Sequence, residues 1–176
     1  DSDAAAKAYI LSKAVKKLEA MNGVKYDIIF CGKESTDYAG GMVGLLLAHE
    51  LCIAGITDVI AVEQAADGVS FNQMTETGYN VVNAAIPAVV TIQKPNYDPR
   101  YPTIKSKLKA RKTEVPVISA ADLETDASKA GAAGSPTKLL GLREPPKKQA
   151  GIKIQEESVA DSAQKAIAVM REAKVL

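Results

Sequence analysis

Apolar residues recur at helical spacing near the start of the chain. In residues 3–20 they occupy positions 6, 10, 11, 14, 15 and 18, with lysines mostly between them. This pattern predicts an amphipathic helix that Asn22 and Gly23 end. The apolar run at 26–31 predicts a buried parallel strand. Residues 41–52 predict a helix that is apolar around most of its circumference, so we expect it in the interior or between layers.

The middle of the chain has the β-branched runs typical of strands. Residues 57–66, 69–74 and 79–84 are predicted strands, with turns at Asp67-Gly68 and near Thr77-Gly78 that make the last two an edge hairpin. Residues 87–92 predict a central strand whose proline occupies the permitted first position. Helices alternating with strands indicate an α/β fold with a doubly wound, mostly parallel sheet.

Beyond residue 92 prolines and basic residues dominate. A loop through Pro95, Pro99 and Pro102 leads into a short, strongly positive helix. We expect a strand at 115–118, a capped turn at 119–123, a small-residue linker at 127–136, a strand at 151–155 and a helix from Ser158 to about Arg171. The predicted organisation is an α/β domain at 1–125, followed by a linker and a C-terminal arm at 126–176 that docks on another subunit.

Composition narrows the functional class. A chain of 176 residues has the size of one domain, and 47% hydrophobic with 24% charged residues is typical of globular proteins. A net charge of +1 argues against nucleic-acid binding, and no apolar run is long enough to insert into a membrane. The single histidine supplies little for a Ser-His-Asp triad or a metal site, and none is expected. Two cysteines and no signal-peptide pattern favour a cytoplasmic protein, or a mitochondrial-matrix one in a eukaryote.

The most informative segment is a glycine-rich turn, residues 31–44, which reads CGKESTDYAGGMVG and joins a strand to a helix. Glycines let the backbone approach a phosphate, and a helix N-terminus supplies free N–H donors. Lys33 adds charge, and Asp37 is placed to accept from a ribose or adenine donor. Neither the Walker pattern nor Gly-x-Gly-x-x-Gly is present. The alternative is that the turn only closes a tight strand–helix connection.

Four motifs in order resemble those of one family. They are Cys-Gly-Lys-x-x-x-Asp-x-x-x-x-Val-Gly from residue 31, Pro-Ala-Val-Val-Thr from 87, Pro-Arg-Tyr-Pro-Thr-Ile-Lys from 99, and Glu-Pro-Pro-Lys-Lys-Gln-Ala-Gly from 144. Together they resemble the β subunit of electron transfer flavoproteins, over essentially the whole sequence. The family's opening strand, hairpin and following βα unit have no counterpart in the sequence, so we expect either a fragment that lacks this N-terminal portion or a separate chain that supplies it.

The resemblance implies a flavodoxin-like or adenine-nucleotide-hydrolase-like domain. It pairs with an α subunit that carries FAD, and itself holds AMP or, in bifurcating members, a second FAD. Electrons pass from an acyl-CoA or related dehydrogenase to a quinone reductase or another acceptor, so the subunit is an electron carrier and not a catalyst on its own.

The resemblance also assigns site residues. Those expected at the nucleotide are Asp3, Ala6, Cys31, Gly32, Lys33, Asp37, Gly40, Gly41, Met42, Val43 and Gly44. The family often has Thr or Asn and Gln where this chain has Gly40, Gly41 and Met42, which leaves backbone amides as the phosphate donors. It also usually has an arginine where this chain has Gln73, so a salt link is expected to be missing. Tyr38 either covers the site or is exposed.

A second set of residues is expected to dock the dehydrogenase: Arg100, Tyr101, Ile104, Lys105 and Lys109. An aliphatic anchor amid basic side chains is typical of a hot spot with a steering rim. The alternative is a solvated basic helix with Ile104 packed inward. Two rivals to the whole interpretation are a stand-alone adenine-nucleotide-binding regulator of the universal-stress type, and an adenylating or hydrolysing enzyme. The second lacks a candidate general base.

Overall fold

The computed structural model describes residues 2–65, 68–94, 97–147 and 150–176. Its helices are α1 (Ala4–Asn22), α2 (Val43–Leu51), α3 (Ile104–Lys112) and α4 (Val159–Glu172), with a 3-10 turn at Ala127–Lys129. Its strands are β1 (Ile28–Gly32), β2 (Ala54–Ala65), β3 (Gly68–Met74), β4 (Tyr79–Ala84) and β5 (Ala88–Ile92). The predictions at Asp67, Pro95 and Lys148-Gln149 lie outside the described residues.

The five strands form one open mixed sheet in the order β1-β5-β2-β3-β4. Strands β1, β5 and β2 are parallel, whereas β3 and β4 form the antiparallel edge hairpin. The long strand β2 belongs to both parts, because Ala54 to Val59 pair with β5 and Val59 to Ala65 pair with β3. The α/β class and the edge hairpin are therefore confirmed, with parallel pairing confined to three strands.

Strand β5 lies inside the parallel part and separates two apolar clusters. Successive strand residues point to opposite faces, so Val90 packs with Val59 and Phe71 while Val89 packs with Ala8 and Leu47. Helices α1 and α2 thus cover one face of the sheet. This layering places the start of α2 beside the carboxyl ends of the parallel strands.

Several sequence expectations are wrong. Residues 115–118 and 151–155 are not strands. Strand β1 is parallel but not buried: within the described residues it pairs with β5 alone, and Phe30 is 58% exposed. Helix α2 is not fully interior, since Leu45 and His49 are exposed, but it lies between layers as the alternative expectation had it, packed against α1 and against strands β2 and β5. An apolar run shows that a segment favours burial, but only long-range pairing decides what covers it.

Residues 126–138 pack on α1. The Tyr9 hydroxyl accepts from the Asp126 N–H at 3.0 Å, and the Ser2 hydroxyl accepts from the Gly131 N–H at 3.1 Å. The chain divides into two compact units, the first ending at Lys138 and the second running from Leu139 to Leu176. Docking of the second unit on a partner subunit stays a prediction.

Candidate functional site

The glycine-rich turn leaves the carboxyl end of β1, where open α/β sheets bind ligands. The Lys33 N–H donates to the Ile92 carbonyl at 3.2 Å, which holds the start of the turn against β5. Ala39 and Gly41 have left-handed backbones, with φ of 49° and 61°. This reversal redirects the chain into α2, as the sequence predicts.

The N-cap residue of α2 does not cap the helix with its side chain. Its N-cap residue is Met42, which makes no side-chain cap hydrogen bond, and the first intrahelical bond runs from the Leu46 N–H to the Met42 carbonyl at 3.0 Å. A helix N-terminus leaves its first N–H groups without intrahelical acceptors and carries a partial positive charge. An anionic group at this end of α2 would accept hydrogen bonds from these N–H groups and would be attracted by the partial charge.

Gly44 allows α2 to approach the sheet closely. A Cβ at this position would lie 2.4 Å from Thr91 Cγ2 and 3.4 Å from Cys31 Cβ. No side chain fits there without movement of β5 or of the helix. Gly44 therefore serves helix–strand packing, which agrees with the alternative that the turn closes a tight strand–helix connection. Gly41 serves the left-handed bend.

Polar residues converge beside the turn from the three parallel strands. Lys33 Nζ lies 3.0 Å from Asp58 Oδ1 of β2, and the Asp58 N–H donates to Thr91 Oγ1 of β5 at 3.0 Å. The hydrogen bond and the charge of Asp58 raise the pKa of Lys33. Sequence reasoning missed Asp58 and Thr91; the available signal was an aspartate interrupting a β-branched strand.

The Gln73 side chain is hydrogen-bonded at the position where the resemblance expects an arginine. Its amide donates to the carbonyl and hydroxyl of Thr57, at 3.1 and 3.0 Å. The residue beside Thr57 is Asp58, whose carboxylate is paired with Lys33. An ion pair is therefore present at this end of the sheet, with its cation contributed by the turn.

Asp37 is oriented by the turn itself. A hydrogen bond from the Ser35 hydroxyl, then backbone hydrogen bonds including that from Tyr38 N–H at 2.9 Å, lower the pKa of Asp37, and the charge of Lys7 on α1 contributes. Tyr38 is 70% exposed. A Cβ at residue 40 would meet its ring at 3.0 Å, so the ring lies against Gly40, beside the turn.

Asp3 is the N-cap of α1, and its carboxylate is already engaged. Oδ1 accepts from the Ala6 N–H at 3.0 Å, while Oδ2 accepts from the hydroxyl and N–H of Thr137 at 2.6 and 3.0 Å. These bonds, led by the Thr137 hydroxyl, lower the pKa of Asp3 to about 2. Ala6 is buried. A nucleotide-contacting role for this pair stays a prediction.

The remaining predicted site residues lie along the turn. Cys31 is half-buried behind α2, and burial raises the pKa of its thiol. Gly32 is exposed and open on its Cα side, and Gly40 and Val43 are half-buried. The structure thus assembles residues 31–44 at one edge of the sheet.

Helix α3 presents an apolar pair among basic side chains. Thr103 caps it by accepting from the Ser106 N–H at 3.2 Å. Ile104 is 80% exposed and Leu108 52%, and residues four apart lie on one face of a helix. The inward-packed alternative for Ile104 is thus wrong. Also exposed are Arg100, Tyr101, Lys105, Lys107, Lys109, Arg111 and Lys112.

Other site classes find no support in the part of the chain that the structure describes. Its His, Cys, Asp and Glu residues form no cluster able to hold a metal ion. No helix in the same ranges has the length and apolar character needed to cross a membrane.

Comparison with known proteins decides the family. The model of the electron transfer flavoprotein domain matches residues 1–123. The chain belongs to the electron transfer flavoprotein domain family. This match contains α1, the whole sheet, the glycine-rich turn and α3, so the geometry above is that of a family domain.

Relatives of known name agree with the family model. The chain is 37% identical over 163 residues to the electron transfer flavoprotein subunit beta of Megasphaera elsdenii, covering 92% of this chain and 60% of that protein. It is 36% identical over 151 residues to the subunit beta of Thermoanaerobacterium thermosaccharolyticum, covering 85% and 56%. For the subunit beta of Mycobacterium leprae the values are 28% over 156 residues, 89% and 57%. The chain thus spans about three-fifths of the length of these relatives.

Proposed function

We propose that this chain works as the β-type subunit of an electron transfer flavoprotein. In the proposed complex an α subunit holds the electron-transferring FAD, and this chain binds an adenine nucleotide, AMP or a second FAD, at the glycine-rich turn. Electrons from an acyl-CoA or related dehydrogenase reach the flavin and leave to a quinone reductase or another acceptor. The observation that carries the proposal is the family match across the domain that contains this turn.

The geometry of the turn supports a nucleotide phosphate at the start of α2. The helix has no side-chain cap, its first amides lack intrahelical acceptors, and the turn lies at the carboxyl edge of three parallel strands. Gly40, Gly41 and Met42 offer no side-chain hydrogen-bond donor. Backbone N–H groups therefore supply the phosphate contacts in this proposal.

The nucleotide part is tested by co-expressing the chain with an α subunit, denaturing the purified complex in acid and identifying released nucleotides by mass. One FAD and one AMP per heterodimer support the simple form, and two FAD support a bifurcating one. A chain that purifies alone with an adenine nucleotide would favour the universal-stress type of regulator. A heterodimer without nucleotide in this chain would refute the site.

The docking part assigns the dehydrogenase to the exposed face of α3. Ile104 is the anchor, because an exposed aliphatic side chain gains most from burial in a partner pocket. Arg100, Lys105 and Lys109 supply a positive rim that would speed association with an acidic partner.

Ile104→Ala should slow electron delivery from the dehydrogenase to the flavin by about tenfold, since truncating a hot-spot residue costs roughly 1–2 kcal/mol of binding. Flavin reduction is followed by stopped-flow absorbance. The matched control is Val117→Ala, which truncates another highly exposed aliphatic side chain (93%) outside α3. Equal rates for Ile104→Ala and the control would sink the docking assignment.

The C-terminal unit is proposed to contact the α subunit. Its helix α4 is capped by Ser158, whose hydroxyl accepts from the Asp161 N–H at 3.1 Å. Val159, Ile167 and Met170 are exposed on this helix, at 89%, 43% and 47%. Burial of such side chains against a partner is favourable. Removal of residues 139–176 should therefore abolish co-purification with the α subunit.

A further inference from the structure

The ion pair beside the turn changes what the turn can offer an anion. Lys33 is the cationic side chain of the turn itself, and it follows directly on the strand that leads into the proposed phosphate site. Its ammonium lies 3.0 Å from Asp58 Oδ1. The nearest other acidic groups in the turn are Glu34 and Asp37. The side chains of the turn itself therefore carry no excess positive charge.

The backbone of β2 holds Asp58 in place. Its φ is 54°, a left-handed conformation that Asp tolerates better than most non-glycine residues. The register of β2 against β5 shifts between Ile56 and Val59, and the Asp58 N–H is fixed by Thr91 Oγ1 at 3.0 Å. Thr91 is itself buried and lies against Gly44 in the first turn of α2. The carboxylate is thus built into the same framework as the start of the helix.

Asp58 also depends on Lys33. Oδ1 is shielded from solvent, and the Lys33 ammonium, 3.0 Å away, supplies its charge compensation. A shielded carboxylate oxygen disfavours the loss of its counter-ion. The Lys33 side chain is 40% exposed, and its ammonium is held at this partner.

We propose that Asp58 is the residue that sets the anion preference of the glycine-rich turn, by holding Lys33 away from ligand phosphate. This inference rests on the proposed nucleotide function and assigns Asp58 a positioning role within it. With the pair closed, backbone amides alone hold the phosphate. Release of Lys33 adds one cation to the site and favours phosphorylated ligands over neutral ones.

The test measures binding of AMP and of uncharged adenosine to the 176-residue chain by calorimetry, in a cycle of Asp58→Asn, Lys33→Met and the double variant. Asp58→Asn should tighten AMP binding about fivefold, the range of one partly exposed ion pair, and leave adenosine within about twofold. Lys33→Met should remove that gain in the double variant, so it should weaken AMP binding much more in the Asp58→Asn background than in the native one.

A second variant guards against a folding defect. Asp58→Gly suits the left-handed backbone and also lacks the carboxylate, so it should show the same selective gain for AMP. The inference is overturned if Asp58→Asn and Asp58→Gly weaken AMP binding, if adenosine affinity changes in parallel, or if Lys33→Met weakens AMP equally in both backgrounds. These results leave the nucleotide site standing. Absence of AMP binding in every variant would overturn the nucleotide proposal together with the inference.

Discussion

Gly44→Ala should destabilise the fold, although the same change usually stabilises a helix. Gly44 is buried in the first turn of α2, and an added Cβ would lie 2.4 Å from Thr91 Cγ2. Thr91 is 2% exposed on β5 and binds the Asp58 N–H through its hydroxyl. Rotating Thr91 away from the new methyl group would therefore break this hydrogen bond, so the helix must move instead.

The magnitude follows from two opposing effects. Overpacking a tight core site costs roughly 1–3 kcal/mol. Replacing glycine by alanine within a helix returns up to about 1 kcal/mol. A contact so far inside van der Waals separation places the cost in the upper half of its range, so we expect a net loss of about 1.5 kcal/mol. For a chain of this size, the corresponding fall in Tm is about 3–6 °C.

Thermal and denaturant unfolding of Gly44→Ala, Thr91→Ser and the double variant measure this. Serine keeps the hydroxyl but lacks Cγ2, so it should relieve the clash, and the double variant should be more stable than the summed single effects by about 1 kcal/mol. The control is Gly78→Ala, because nothing lies within 4 Å of a Cβ there. A Gly44→Ala protein at least as stable as the native one would refute the close helix–strand contact.

Two further predictions concern titratable groups. The pKa of Asp3 is lowered to about 2 from an ordinary 3.8, so its contribution to stability is present above pH 4 and is lost as the pH falls towards 2. Asp3→Asn should therefore flatten the dependence of Tm on pH over that interval. An unchanged slope would contradict the capping geometry. Burial raises the pKa of Cys31, whereas Cys52 is exposed. Iodoacetamide at pH 8 should therefore modify Cys52 first, and the Cys52→Ser protein should react slowly. Equal rates at both thiols would contradict the packing of α2.

Local signals predicted the elements that local chemistry determines. Gly23 ends α1 in a left-handed conformation with φ of 66°, and Ser158 caps α4. The hairpin turns at Gly78, between β3 and β4. In each case a few neighbouring residues supply the capping group, the permitted backbone or the alternation, so a single sequence is enough.

Expectations that depended on residues far apart in the sequence were less accurate. Residues 115–118 contain two exposed valines and pair with no strand within the described ranges. The part of the site contributed by Asp58 and Thr91 is formed by strands 33 residues apart, and its ion pair needs a bulge in β2 that no local pattern specifies. The turn itself was found because its glycines and its position after β1 are adjacent in sequence.

The segment that joins residue 126 to Lys138 shows what a small-residue composition can mean. Alanines, glycines and serines there suggest a flexible linker, yet a Cβ at Gly134 would lie 2.0 Å from the backbone carbon of Lys129. The Ser135 hydroxyl accepts from the Asp3 N–H and the Thr137 hydroxyl donates to the Asp3 carboxylate, so this stretch is hydrogen-bonded to the start of the first unit. Natural selection should therefore tolerate insertions in this stretch poorly, and drift towards larger residues should be rarer here than in a true interdomain tether.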